Sequence, residues 1–122
     1  MSNVRDVTLQ ASVTKTATFN STGVITEGQN YGTVIQSLWK RASILLAVTA
    51  ASGTTPTLDL KIQDSADDVT YNDVGLAFTQ ATGVTSERKS LDFPLRKYVR
   101  AVATIGGTTP SFTYSVKARV EE

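Results

Sequence analysis

The densest cluster of side chains that could do chemistry is Asp64-Ser65-Ala66-Asp67-Asp68. Three carboxylates so close together could hold a hard cation such as calcium through their oxygens, but the spacing is not that of an EF-hand loop. Asp and Ser at such positions also stabilise turns by bonding the nearby backbone, with no ion needed. The reading adopted is a turn, and no metal site is predicted. The rest of the catalytic inventory is short, because the 122 residues include neither cysteine nor histidine. That removes Ser–His–Asp and Cys–His constellations, disulfides and cysteine-held metals. No nucleophile–base or acid–base pair can be assembled by spacing, so neither an enzyme nor a cofactor is expected.

The remaining charged groups suggest a solvated surface. Arg88-Lys89 and Arg96-Lys97 are basic pairs, but Glu87 and Asp92 lie beside them. With a net charge of +1, nothing calls for nucleic acid or an anionic membrane as a partner. A nucleic-acid groove would need a stronger basic excess interleaved with exposed aromatics. No apolar run is long enough for a helical membrane span. The opening MSNVRDVTLQ lacks a signal-peptide pattern, so the chain is expected to stay in the cytosol or leave it by lysis. The single tryptophan, Trp39, is either a core residue or an interface anchor.

The elements that would carry these residues are strands. Threonine occurs 19 times, and its branched Cβ favours extended backbone. Leu58, Leu60 and Ile62 alternate with Asp59, Lys61 and Gln63, a period of two with one face buried. Phe112, Tyr114, Val116, Ala118 and Val120 alternate in the same way with Thr113, Ser115, Lys117 and Arg119. Lys97 to Val120 reads as one long β-hairpin turning at Gly106-Gly107-Thr108-Thr109-Pro110. Ala42 to Ala50 reads as a central strand covered on both faces, followed by a turn at Ser52-Gly53-Thr54-Thr55-Pro56. Further strands are expected at Thr33–Lys40, Val69–Thr79 and Ser86–Phe93. The expected core is Leu45, Ala47, Leu58, Leu60, Ile62, Leu76, Phe78, Leu91, Phe93, Val99, Phe112, Tyr114 and Val116.

Strands at this density, with turns between them, predict an all-β fold: an antiparallel β-sandwich, jelly-roll-like, with little or no helix. One domain is expected, with residues 1–20 as an N-terminal arm or edge strands and 21–122 as the sandwich. The runs Val4–Gln10 and Val13–Asn20 alternate without bulky apolar residues, as edge strands do. They are expected to meet another subunit through Val4, Val7, Leu9 and Val13, with Trp39 as a further interface residue. Deleting residues 1–12 should then weaken assembly and spare the domain. An internal repeat accompanies the pattern: Gly53-Thr54-Thr55-Pro56 recurs as Gly107-Thr108-Thr109-Pro110, 54 residues on. It suggests two similar hairpins, one in each half.

Two stretches resemble a known group. Leu60-Lys61-Ile62-Gln63-Asp64-Ser65-Ala66-Asp67-Asp68-Val69-Thr70-Tyr71-Asn72-Asp73-Val74 is similar to a hairpin of small structural proteins of tailed bacteriophages. Leu91-Asp92-Phe93-Pro94-Leu95-Arg96-Lys97-Tyr98-Val99-Arg100-Ala101, with Gly107 to Phe112 following, resembles the ending of the same group. The likeness runs from Ile44 onward. One departure is Asp67-Asp68, where such a turn commonly carries Asp-Gly. The resemblance implies a virion component, and the size and absent chemistry suit a capsid decoration (cement) protein on the capsid surface, made in the host cytoplasm. Its implied partner is the major capsid protein, with a homo-oligomer on the shell. A head–tail joining or tail accessory protein is the alternative. A carbohydrate-binding module is a more distant one, since most aromatics here sit at inward-looking positions.

Overall fold

The computed structural model describes residues 4–21, 24–25, 41–91, 96 and 98–121. Within them the chain is all-β, with seven strands in one antiparallel sheet and no helix. The strands are β1 (Val4–Lys15), β2 (Phe19–Asn20), β3 (Val24–Ile25), β4 (Arg41–Ser65), β5 (Asn72–Ala77), β6 (Thr85–Leu91) and β7 (Tyr98–Glu121). The segment Thr33–Lys40, with Trp39, lies outside the described residues, as do Asp92, Phe93 and Lys97.

Two strands are far longer than the sequence pattern suggests. β4 has 25 residues and β7 has 24, and they pair antiparallel from Arg41↔Glu121 to Ser65↔Tyr98. The expected hairpin at Lys97–Val120 therefore does not form. Its two arms are successive parts of β7, and both bond to β4. In the same way, Ser52 to Pro56 does not turn the chain back but continues β4.

The physical reason is that the two Gly-Thr-Thr-Pro segments meet each other, with Thr54 opposite Thr108. Gly53 and Gly107 take φ of 116° and 109°, and Thr55 and Thr109 take 46° and 47°. Each strand thus spends its left-handed residues on a kink, and each kink is braced by the other. A Cβ on Gly53 would lie 2.7 Å from the Thr109 carbonyl oxygen, and one on Gly107 would lie 2.6 Å from that of Thr55. The Thr55 and Thr109 hydroxyls each donate to the preceding carbonyl at 2.8 Å. The 54-residue repeat is real in structure, as two equivalent kinked strands in place of two hairpins.

Both long strands change neighbours across the kink. Residues 42–48 of β4 pair with β6, whereas residues 61–64 pair with β5. Residues 98–103 of β7 meet β3 and β2, and residues 112–121 meet β1. The two halves of the sheet bury one face each in a common core. Ile44, Leu46, Val48, Phe112, Tyr114 and Val116 enter from one half, and Leu58, Leu60, Ile62, Val99, Ala101 and Ala103 from the other. Full burial of each larger aliphatic or aromatic side chain contributes roughly 1.5–3 kcal/mol.

The alternation corrects two expected core positions. Ala42, Ile44, Leu46 and Val48 point inward, which leaves Leu45 and Ala47 half-buried on the outer face. The segment is therefore covered fully on one face, not on both. β1 is also corrected. It is an edge of the sheet, paired with β7 alone among the named strands. Yet Val7 and Leu9 are buried in the chain's own core, and Val13 packs against it. The side chains of Val7 and Leu9 are thus taken up by the chain's own core, whereas Val13 is half-buried.

Candidate functional site

The acidic cluster is a turn. β4 and β5 form a hairpin from Asp64 opposite Asn72, and the Asp and Ser side chains hold the loop between them. The buried Ser65 hydroxyl accepts the N–H groups of Asp67 (3.2 Å) and Asp68 (2.9 Å), and it donates to Asp67 Oδ1 (2.9 Å). That same oxygen accepts the N–H groups of Val69 and Thr70 at 2.9 and 3.0 Å. These bonds favour the carboxylate and hold the Asp67 pKa below its ordinary value. Asp68 takes φ 63°, the left-handed position where Gly is common and Asp is tolerated. Its carboxylate accepts the Tyr71 hydroxyl. Burial first, and then Asp68, push the Tyr71 phenol up to about 12, so it is no ready nucleophile. Asp64 accepts the N–H of Arg96 at 3.0 Å. No metal-ligating cluster is present among the described residues.

The outer face around that hairpin carries one ion pair, Lys61 with Asp73. Asp73 accepts from Gln63 (2.8 Å) and Lys61 (3.2 Å), which lowers its pKa. Arg100 donates to Gln63 and stacks over the Tyr71 ring at 4.0 Å.

The half of the sheet formed by β1, β7, β4 and β6 differs. Its outer face carries a groove of about 400 Å³, lined in part by Asp6, Thr8, Leu45, Arg88, Lys117 and Arg119. The pairing aligns these side chains in rungs. One rung runs Asp6–Arg119–Ser43–Ser90, and the next runs Thr8–Lys117–Leu45–Arg88. Alternation brings them to one face, because Val116 and Ala118 on β7 and Ile44 and Leu46 on β4 are buried below.

The first rung balances its charge. Arg119 grips Asp6 through two nitrogens, at 2.8 and 3.3 Å, and that grip lowers the Asp6 pKa. The second does not. Arg88 donates to the Ser43 hydroxyl at 3.2 Å, and among the described residues no carboxylate pairs with Arg88 or Lys117. Neighbouring Glu87 is taken by the N–H and hydroxyl of Thr79, at 2.7 and 2.9 Å. Two strand spacings separate Arg88 from Lys117, about 10 Å. Two like charges about that far apart in water repel by only about 0.4 kcal/mol. An anion placed between them would feel both.

Of the residues expected at an interface, Val7, Leu9 and Val13 belong to or pack on the core, and Trp39 and the Val4 side chain lie outside the described residues. The sequence reading placed Arg88 on a mixed solvated face and did not bring it to Lys117. The available signal was the polar phase of the last strand. What period two cannot tell is that β6 lies beside β4, opposite β7.

No protein-family model matches the chain, and no curated protein matches its sequence. Solved structures do share its fold. A PBSX exported protein, XepA, superposes with a TM-score of 0.58 at 12% identity, over 95% of this chain and 36% of that one. A structure of infectious bursal disease virus, Gx strain, gives 0.54 at 12% identity, over 98% and 32%. Bacillus endospore appendages, described as disulfide-linked pili, give 0.50 at 11% identity, over 98% and 88%. The chain thus spans about a third of the length of the first two. At such identities the likeness is one of fold.

Proposed function

We propose that this chain is a structural component of a tailed-phage virion, a capsid decoration protein that binds the major capsid protein on the outside of the shell. It works by binding and not by catalysis. The observation that carries this reading is the outer-face groove, whose Arg88 and Lys117 lack a carboxylate partner among the described residues. It stands on a chain without cysteine or histidine whose acidic cluster is spent on a turn. The resemblance of Leu60–Val74 and Leu91–Phe112 to phage structural proteins supports the same reading. So does a fold shared with a PBSX exported protein and a virus structure.

The mechanism is additive. Each copy need bury only a standard interface of about 1,200–2,000 Å² in total. A copy that bridges two capsid subunits makes its second contact effectively intramolecular, so modest affinity becomes strong retention. Binding the assembled shell in preference to free subunits stabilises the shell by linkage.

Copy number tests the reading. Quantifying the chain against the major capsid protein in purified virions should give near-stoichiometric amounts. A count on the order of a dozen per particle would replace decoration with a head–tail joining or tail accessory role, since those act at one vertex or one tail.

A further inference from the structure

We propose that the rung Thr8–Lys117–Leu45–Arg88 receives a carboxylate side chain from an acidic, extended segment of a protein partner. The carboxylate lies between Arg88 and Lys117, and its methylenes rest on Leu45. The proposal rests on the reading that this outer face binds a protein, and it names the chemistry of what is bound.

Among the described residues that line the groove are three cations and one carboxylate, and that carboxylate, Asp6, is held by the fork of Arg119. The two remaining cations lie on one rung with a half-buried leucine between them. An arginine fork and a lysine point charge on either side of one leucine suit a carboxylate, with two directed bonds from one side and a flexible donor from the other. Leu45 supplies an apolar seat for the stem of an Asp or Glu, which snorkels in reverse over a sheet surface. A nucleic-acid strand fits less well. It would need cations repeated along a track and aromatics to stack its bases, and no described aromatic is more than half-exposed. An anionic bilayer would need a denser basic cluster.

The test uses the full chain labelled with nitrogen-15 and three probes at low salt. These are a capped peptide of alternating Ala and Glu, its Gln counterpart, and an oligothymidylate of equal charge. The expected result is saturable amide shifts at Ser43, Leu45, Arg88 and Lys117 with the Glu peptide, and none with the Gln peptide. Lys117→Gln and Arg88→Gln should each weaken binding about five-fold. Lys117→Arg should restore it, and Lys15→Gln should leave it unchanged. The amide spectrum of each variant reports whether it is folded, and the rescue by Arg carries the conclusion if a Gln variant is not. Absence of saturable shifts, equal shifts with the Gln peptide, or tighter thymidylate binding at the same residues would overturn the proposal. Failure here beside full copy number in virions would leave decoration standing on another face. Success beside low copy number would leave the rung standing and move the protein to another site on the particle.

Discussion

Asp67 shows how one carboxylate can define a loop while offering nothing to a ligand. Its Oδ1 gathers two backbone N–H groups and the Ser65 hydroxyl, so the ionised form is preferred in the fold. Its folded pKa lies below the ordinary 3.8. The stabilisation is therefore fully present above that value and is lost as pH falls through the lower, folded value. Thermal unfolding followed from pH 7 downward should show the wild-type melting temperature dropping in acid below about pH 4. Asp67→Ala should melt lower at pH 7 and show a shallower acid decline. Equal slopes would mean that other carboxylates, such as Asp73 or Glu87, dominate. The turn was legible in the sequence because Asp and Ser so placed commonly bond the nearby backbone. The groove was not legible, because Arg88 and Lys117 become neighbours only through Leu45, which the sequence reading assigned to the core.

At the scale of elements, the alternation of Leu58, Leu60 and Ile62, and of Phe112, Tyr114 and Val116, gave strands with the correct faces. What the pattern hid was continuity. Gly-Thr-Thr-Pro supplies a left-handed glycine and a proline, and those serve a hairpin turn and a kink equally well. The choice is made by the partner strand. Gly53→Ala and Gly107→Ala should each cost about 1–3 kcal/mol from backbone strain, with the Cβ collision added. Because each glycine sits against the other kink, the double variant should cost less than the two singles together, as a double-mutant cycle in urea would show. Gly83→Ala, with open space around it, should stay within about 0.5 kcal/mol. β1 gives an equally direct expectation. Leu9→Ala should cost about 2–4 kcal/mol. Deleting residues 1–12 should lower the melting temperature by roughly 10 °C or more, because it removes Val7 and Leu9 from the core. An unchanged melting temperature would return β1 to the role of a detachable arm.

For the molecule as a whole, the class of fold was readable from threonine content and period two, while the order of strands was not. Pairing Arg41 with Glu121 and Ser65 with Tyr98 makes the central contacts distant in sequence. Such topology should refold slowly, on a scale of milliseconds to seconds, in stopped-flow fluorescence. Complete recovery within about 100 microseconds would contradict the central pairing of β4 with β7. The braced kinks have a further consequence for fidelity. A slide of β4 along β7 by one residue would turn every inward side chain outward and is forbidden by the core. A slide by two residues keeps inside and outside unchanged, and along threonine-rich strands the hydrophobic pattern penalises it weakly. The kinks do penalise it, because a slide would set residues with a Cβ where Gly53 now lies against Thr109 and Pro110, and where Gly107 lies against Thr55 and Pro56. They act as an alignment mark, the one place where two long and permissive ribbons can tell the correct match from its nearest counterfeit.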